Sequence, residues 1–206
     1  MNYKYLPNTG YYQTVLKDYD IVFLQDEINQ LKKDFLSGEK FNEKLAGNIK
    51  HEYLLGCNTE LEKLILPLIS NYNDKSNILS NYNIMSSSLP LYLDTAWVNF
   101  QHKYEFNPSH NHEGVLSFVI WIDIPYTTDD ETLANPGANS NIVCSGNFEF
   151  QYTDILGQIR SYKIPCNNDM NNTILIFPSK MVHCVYPFFS TDKYRVSVSG
   201  NFKLKV

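Results

Sequence analysis

Apolar positions change their spacing near Pro90, and the chain on either side of this residue predicts different secondary structure. Upstream, Asp20–Leu36 carries apolar residues at helical spacing. A second helix is predicted to be capped by Asn58 or Thr59 and to end near Asn71–Lys75. Pro67 falls inside the second pattern, where a proline kinks or shortens a helix. Phe41–Leu55 predicts a third, weaker helix. None of these segments has a chemical signature, so we expect them to pack against a sheet.

Downstream of Pro90 the chain consists of short β-rich runs separated by turn residues, which is typical of a sandwich or barrel. Two runs, LSFVIWIDIP and ILIFP, are apolar at mostly consecutive positions, as in strands that are covered on both faces. The pattern predicts an α+β protein, with a helical support region at 1–89 and a β core at 90–206 in one structural domain. The predicted strands are Leu91–Gln101, Val115–Ile124, Asn147–Tyr152, Gln158–Ile164, Thr173–Phe177, Val182–Pro187 and Tyr194–Lys205.

One segment of the β-rich part, Tyr126–Val143, is polar and includes a Pro-Gly pair and a short acidic run. It is too long to be the turn of a hairpin. The sequence leaves two interpretations open: the segment is disordered, or it forms a lid over a site.

Composition narrows the class of protein and its partners. The chain has 206 residues and a net charge of −5, so we expect no broad basic face and no nucleic-acid partner. No apolar run is long enough to span a bilayer, and Met1–Tyr12 lacks the apolar core of a signal peptide. The four cysteines form no CxxC pair, which favours free thiols in a reducing compartment. The expectation is a cytoplasmic protein with no membrane partner.

Three histidines have the spacing of a metal site. His110 and His112 are two residues apart, so in an extended chain they point to the same face. His183 follows the buried run ILIFP and a short turn, and it can supply a third ligand from a distant strand. Three ligands on one side of an ion leave the opposite positions open, as oxygen-activating iron requires. The competing interpretation, solvated loop histidines and one buried core histidine, applies better to His102, which precedes a charged segment.

Arginine is scarce, since Arg160 and Arg195 are the only two in the chain. Strand alternation places Arg195, Ser197 and Ser199 on one face. Either this face meets water, or it turns inward so that Arg195 clamps a carboxylate and Ser197 donates a further hydrogen bond. An unpaired buried guanidinium is very costly, so an inward Arg195 is expected to need an anionic partner.

The blocks NPSHNHEGVLSFVIWIDIPY, LIFPSKMVHCVYPF and RVSVSGNF resemble the Fe(II)- and 2-oxoglutarate-dependent oxygenases, and most of all the prolyl-4-hydroxylase-like proteins of large tailed phages. The resemblance implies a double-stranded β-helix, of the jelly-roll or cupin-like kind, backed by the N-terminal helices. It implies Fe(II) on His110, His112 and His183, and the distal carboxylate of 2-oxoglutarate on Arg195 and Ser197. It also implies 2-oxoglutarate and O2 as co-substrates, a peptide or small molecule as the hydroxylated substrate, and the host cytoplasm as the location of a phage protein.

One position departs from the family pattern, because most members carry Asp or Glu where His112 stands. Glu113 points to the opposite face of an extended chain and reaches the metal only through a bulge. A three-histidine site is compatible with a cupin-like dioxygenase that does not use 2-oxoglutarate, and the same fold can serve as a non-catalytic binding module. Arg195 and Ser197 favour the oxygenase over the cupin-like enzyme, in which that pair would have no ligand.

Overall fold

A computed structural model describes residues 9–84 and 90–205 of the chain. The described elements are four α-helices and ten β-strands. The helices are α1 (Val22–Lys33), α2 (Asn58–Ser76), α3 (Ile78–Asn81) and α4 (Thr128–Ala134). The strands are β1 (Tyr12–Val15), β2 (His51–Leu54), β3 (Leu91–Gln101), β4 (Asn107–His110), β5 (Leu116–Asp123), β6 (Phe148–Thr153), β7 (Ile159–Ile164), β8 (Thr173–Pro178), β9 (Val182–Val185) and β10 (Arg195–Leu204).

The strands form two antiparallel sheets. The large sheet has the order β1-β8-β5-β10-β3-β2, and the small sheet has the order β4-β9-β6-β7. All seven predicted strands are present with boundaries within a few residues of those expected. The α+β class with a double-stranded β-helix core is confirmed. β1 and β2 come from the region predicted as helical support and form the two edges of the large sheet, while the assignment of 1–89 as support and 90–206 as core stays a prediction.

The outer face of the large sheet packs against the N-terminal helices. α2 buries Leu61, Ile65 and Ile69, and β10 meets that layer with Val196 and Val198; all five side chains are at most 2% exposed.

Two of the helices predicted from the sequence are confirmed. The helix predicted for Asp20–Leu36 is α1, and the helix predicted to follow Asn58 or Thr59 is α2. Pro67 does not shorten α2, which continues to Ser76, and the kink that was the other expectation at this proline stays a prediction. The buried stripe on both sides of the proline stabilises the helix more than one missing N–H weakens it.

A second core lies between the two sheets and is largely aromatic. Phe148 and Phe150 of β6 pack against Phe177 of β8, with ring centroids 6.1 and 5.0 Å apart. Trp121 of β5 meets Phe148 edge-on at 5.9 Å. Because side chains alternate along a strand, β10 presents valines to the helices and its polar residues to the space between the sheets.

No helix within 9–84 and 90–205 is long and apolar enough to cross a membrane.

The helix predicted for Phe41–Leu55 is wrong. The segment contains a single 3-10 turn, Asn42–Lys44, and then β2, which pairs with β3. Gly47 lies between them with φ of 156°, and a Cβ at this position would fall 2.1 Å from Asn107 Oδ1. The Asn107 amide therefore occupies the space of a side chain at position 47, and the positive φ is one that residues with a Cβ rarely adopt.

The segment Tyr126–Val143 contains a helix, α4, over Thr128–Ala134. Thr127 and Asp130 form a reciprocal capping box at the helix start. Glu131 is buried, and its carboxylate accepts hydrogen bonds from the backbone N–H groups of Phe189 and Ser190 at 2.8 and 2.7 Å. α4 is thus attached to the rest of the protein through a polar side chain and not through a stripe of apolar ones. The sequence therefore shows no helical spacing of apolar residues here, and the helix was not predicted.

Candidate metal centre and adjoining cleft

The structure brings together the three histidines that the sequence singled out. His110 ends β4 and is the cross-strand partner of His183 in β9, while His112 follows two residues after His110. Their potential ligand atoms all lie within 4.8 Å of one another. The ring centroids of His110 and His183 are 4.3 Å apart, and that of His112 lies 4.9 and 5.0 Å from them. One small ion can contact all three.

Backbone carbonyls orient two of these rings. His110 Nδ1 lies 2.7 Å from Pro108 O, and His183 Nδ1 lies 3.0 Å from Met181 O. A carbonyl only accepts, so each Nδ1 carries the proton and each Nε2 keeps a free lone pair. Such outer hydrogen bonds fix the ring and the tautomer at metal sites. His112 packs instead against the indole of Trp97, with ring centroids 5.6 Å apart.

Burial keeps the three imidazoles neutral. It lowers the pKa of His110, lowers the pKa of His112 to about 4, and lowers the pKa of His183 well below its ordinary value; the charges of neighbouring histidines add to the effect at His112 and His183. A neutral imidazole is the form that binds metal. Three convergent nitrogen donors with free lone pairs, in a site with room on one side, fit Fe(II).

The remaining candidate ligands lie elsewhere. Glu113 is exposed and is not part of the cluster. His51 stacks on Phe35 at 4.4 Å, and His102 lies 3.9 Å from Asp192. Among the described residues, the three-histidine group is the only cluster of at least three such side chains close enough to share an ion.

A cleft of about 600 Å3, including its open mouth, adjoins the histidines between the two sheets. Its walls include Leu45, Ala46 and Ile49 from the segment before β2, and none of its described lining residues comes from 127–145. The lid expected from Tyr126–Val143 therefore stays a prediction. Among the described residues that line the cleft, only Arg195 and the three histidines can carry charge.

Arg195 lies deep in this cleft, and its guanidinium is saturated with hydrogen bonds. Nε and Nη2 both donate to Gln101 Oε1, at 3.1 and 2.5 Å. Nη1 donates to the Tyr126 hydroxyl at 2.8 Å and to Gly146 O at 2.7 Å, and Nη2 donates to Tyr186 O at 3.0 Å. All five N–H groups thus have acceptors, and none of the acceptors is charged.

The inward orientation expected for the polar face of β10 is found, since Arg195, Ser197 and Ser199 all line the cleft. The guanidinium contacts no carboxylate of the described residues, so the anionic partner expected for Arg195 stays a prediction. Neutral acceptors and the ring of Phe188, whose centroid lies 5.6 Å from the guanidinium carbon, surround it instead. These neutral groups stabilise the positive charge of Arg195 but do not cancel it. The part of the cleft next to Arg195 therefore attracts an anion.

Two buried side-chain oxygens, on the neighbouring strands β3 and β2, lack donors among the described residues. Asn99 Nδ2 donates to Ser197 Oγ at 3.3 Å, but Asn99 Oδ1 has no partner. Glu52 is the cross-strand partner of Asn99; its Oε2 accepts from Asn42 Nδ2 at 3.0 Å, and its Oε1 has no partner. Burial, reinforced by the charge of Glu105, raises the pKa of Glu52 to about 7.

Glu52→Gln is expected to change how stability depends on pH. The folded protein holds a proton on Glu52 that the unfolded chain releases near the ordinary value of 4.5. Stability from this group is therefore complete below pH 4.5 and is lost as pH rises through about 7. Between pH 4.5 and 8 the glutamine variant should gain about 3 kcal/mol relative to the parent in urea unfolding.

The control for this measurement is Glu60→Gln, which removes an exposed carboxylate from α2 and should show no such gain. If the difference in unfolding free energy between the Glu52 variant and the parent is the same at both pH values, the raised pKa is refuted.

Sequence reasoning missed Gln101, Tyr126 and Gly146, the partners of Arg195. Tyr126 directly follows the buried run LSFVIWIDIP, and Gln101 ends the longest strand, but neither position carries a motif. The Gly146 contact uses a backbone carbonyl, which any residue type offers. No sequence signal could have shown that all three meet at one guanidinium.

Comparison with known proteins shows the family to which the chain belongs. A sequence profile of 2OG-Fe(II) oxygenases, where 2OG is 2-oxoglutarate, matches residues 95–201, just over half of the chain. The chain belongs to the 2OG-Fe(II) oxygenase family. It is thus an oxidoreductase that uses Fe(II), 2-oxoglutarate and O2, as the sequence predicted. Among curated proteins, none matches the sequence significantly.

Solved structures show the same fold at low identity. A prolyl-4-hydroxylase from Pseudomonas putida aligns with a TM-score of 0.57 and 13% identity over 96% of this chain and 94% of that one. The viral collagen prolyl hydroxylase of Paramecium bursaria Chlorella virus-1, solved with 2-oxoglutarate, gives 0.53 and 10% over 93% and 94%. AviO1 from Streptomyces viridochromogenes gives 0.56 and 10% over 95% and 90%. These neighbours establish the double-stranded β-helix.

Proposed function

We propose that His110, His112 and His183 hold Fe(II), and that Arg195 and Ser197 bind the distal carboxylate of 2-oxoglutarate in the same cleft. The convergence of the three histidine rings beside a cleft whose far end contains a buried guanidinium carries this proposal. The reaction converts 2-oxoglutarate, O2 and a C–H bond into succinate, CO2 and a C–OH group. The bound iron supplies the oxygen chemistry, and the protein orients the co-substrate and excludes water.

Each part of the cleft has a distinct task in this proposal. The Pro108 and Met181 carbonyls hold the His110 and His183 rings with their lone pairs toward the ion. Because Asn99 Nδ2 donates to Ser197 Oγ, the hydroxyl proton of Ser197 is free to be donated to a carboxylate. Arg195 supplies the positive charge at the same end.

A third imidazole in place of a carboxylate changes the charge of the site. Three neutral histidines leave the full double positive charge of Fe(II) to be balanced by ligands other than protein side chains. The carboxylate next to the keto group of 2-oxoglutarate provides one of these negative charges. We therefore expect binding of iron and 2-oxoglutarate to reinforce each other more strongly here than at a site with a protein carboxylate.

The substrate-facing wall favours an uncharged substrate. Leu45, Ala46, Ile49 and Val185 are apolar, and the part of the lining that the structure describes includes no lysine and no carboxylate. This lining and the net charge of −5 disfavour a nucleic acid. Two of the structural neighbours are prolyl hydroxylases, so a peptide is the first substrate class to test and a small metabolite is the second.

The cytoplasm is the proposed location. All four cysteines are free, as expected in a reducing compartment. The resemblance to proteins of large tailed phages makes an infected cell the proposed setting.

The test is succinate production from 2-oxoglutarate by the purified protein with Fe(II) and O2, screened with peptide, nucleic-acid and metabolite pools. We expect succinate formation that requires Fe(II) and rises with a peptide or metabolite pool. Hydroxylated product and succinate should form in a one-to-one ratio. Oxygen consumption that does not depend on 2-oxoglutarate would favour a cupin-like dioxygenase. Failure to bind either iron or 2-oxoglutarate would favour a non-catalytic module.

A further inference from the structure

Gln101 occupies the position at Arg195 that suits a carboxylate. The two residues are cross-strand partners on β3 and β10, and both line the cleft at 3% and 2% exposure. Gln101 Oε1 accepts from Nε and Nη2 together, and this edge of a guanidinium is one that receives carboxylates with two parallel hydrogen bonds. The Gln101 amide Nε2 donates to Glu105 O at 2.6 Å, which fixes Oε1 on the arginine side.

A ligand carboxylate cannot be added to Arg195 without replacing one of its acceptors, because a guanidinium has five N–H groups and all five are used. Gly146 O belongs to a backbone segment held by the hydrogen bond from Gly146 N to Pro187 O. The Tyr126 ring is stacked on Phe188 at 4.9 Å. The Gln101 amide, by contrast, is held only by the side-chain hydrogen bonds from Nε2 to Glu105 O and Tyr186 O, so it can leave the guanidinium without movement of the backbone.

We infer that Gln101 Oε1 is an internal ligand of Arg195 that the distal carboxylate of 2-oxoglutarate replaces. This inference rests on the proposed function. The exchange substitutes charge-assisted hydrogen bonds for neutral ones, so a dicarboxylic oxo acid gains from it. A 2-oxo acid without a distal carboxylate does not gain and leaves Gln101 in place. Gln101 is thereby a specificity-determining residue. A ligand must form stronger hydrogen bonds with Arg195 than Gln101 does, and only a ligand with a distal carboxylate meets this condition.

Two substitutions test the exchange in opposite directions. Gln101→Glu fills the same position with a covalently attached carboxylate and should weaken 2-oxoglutarate binding about ten- to a hundredfold. Gln101→Met has similar length but accepts nothing from Arg195, and it should tighten binding by about two- to tenfold. Both variants lose the hydrogen bond to Glu105 O, so that shared loss cannot explain effects of opposite sign.

The measurement is anaerobic calorimetric titration of the Fe(II)-loaded protein with 2-oxoglutarate and with 2-oxobutyrate, which has the same keto acid end but no distal carboxylate. Affinity for 2-oxobutyrate should be the same in the parent and in Gln101→Glu. Gln13→Glu, which adds the same charge at an exposed position of β1, is the matched control and should bind both ligands like the parent. Thermal unfolding of each variant verifies that it is folded.

The outcomes separate this inference from the proposed function. If the parent shows no preference for 2-oxoglutarate over 2-oxobutyrate, the assignment of the distal carboxylate to Arg195 is wrong. If the parent has that preference and Gln101→Glu keeps it, Gln101 is not exchanged. Weaker 2-oxoglutarate binding in Gln101→Met would show that Gln101 is a fixed support of Arg195, and it would also overturn the inference.

Discussion

His183→Ala is expected to abolish stoichiometric Fe(II) binding, and His110→Ala is expected to do the same. Each variant loses one of three convergent nitrogen donors, and the remaining two cannot hold the ion on one face. Substituting residues that merely orient a metal ligand costs about 10- to 100-fold in affinity, so loss of the ligand itself should cost more than about a hundredfold. Equilibrium dialysis against Fe(II) under anaerobic conditions measures this directly.

His102→Ala is the matched control, because His102 lies outside the cluster beside Asp192 and its loss should leave iron binding unchanged. His112→Asp tests the third position. If His112 is a ligand, an aspartate there supplies an oxygen donor and the variant should still hold iron. Full occupancy in both alanine variants would show that the ion binds elsewhere on the protein.

Arg195→Lys is expected to weaken 2-oxoglutarate binding by about ten- to a hundredfold while iron binding stays at the parental level. Lysine keeps the positive charge but presents no planar pair of donors to a carboxylate. It also leaves most of the acceptors around the guanidinium without a donor, so the variant should unfold at a lower temperature. Anaerobic absorption titration of the Fe(II) protein with 2-oxoglutarate gives the affinity, and thermal unfolding gives the stability.

The chain offers a close control for this change. Arg160, the other arginine, is on the exposed strand β7 and pairs with Asp154 at 2.7 Å. Arg160→Lys should leave both the affinity and the melting temperature unchanged. Equal 2-oxoglutarate affinity in Arg195→Lys and the parent would mean that the guanidinium serves only to join β3, β10 and the loops around it.

Much of the β core could be predicted because its strands are long and bury one face or both. β3 and β5 show alternating or continuous apolar residues, and β3 ends where the pattern predicted. The missed strands β1, β2 and β4 have four residues each, too few to show a period. β2 was mistaken for helix because four residues of strand next to a turn can imitate helical spacing.

The candidate metal centre was predictable for a different reason. His110 and His112 are neighbours on one strand end, so their convergence follows from local geometry, and only His183 required knowledge of the fold. The surroundings of Arg195 were not predictable, because its hydrogen bonds reach 94, 69 and 49 residues away along the chain. The protein itself supplies only neutral acceptors to the guanidinium, so the anionic partner expected of Arg195 stays a prediction.

Tyr126 and Gly146 bracket the segment that contains α4, and both hydrogen-bond to the same nitrogen, Arg195 Nη1. The segment between these two residues therefore begins and ends at the Arg195 guanidinium. Because both of its ends are held there, the length of the segment does not affect the position of Arg195 in the cleft. The entropy cost of a longer loop grows slowly, by about 0.6 kcal/mol per doubling. Insertions, deletions or recognition modules can accumulate there during evolution while the geometry of the reaction centre is inherited unchanged.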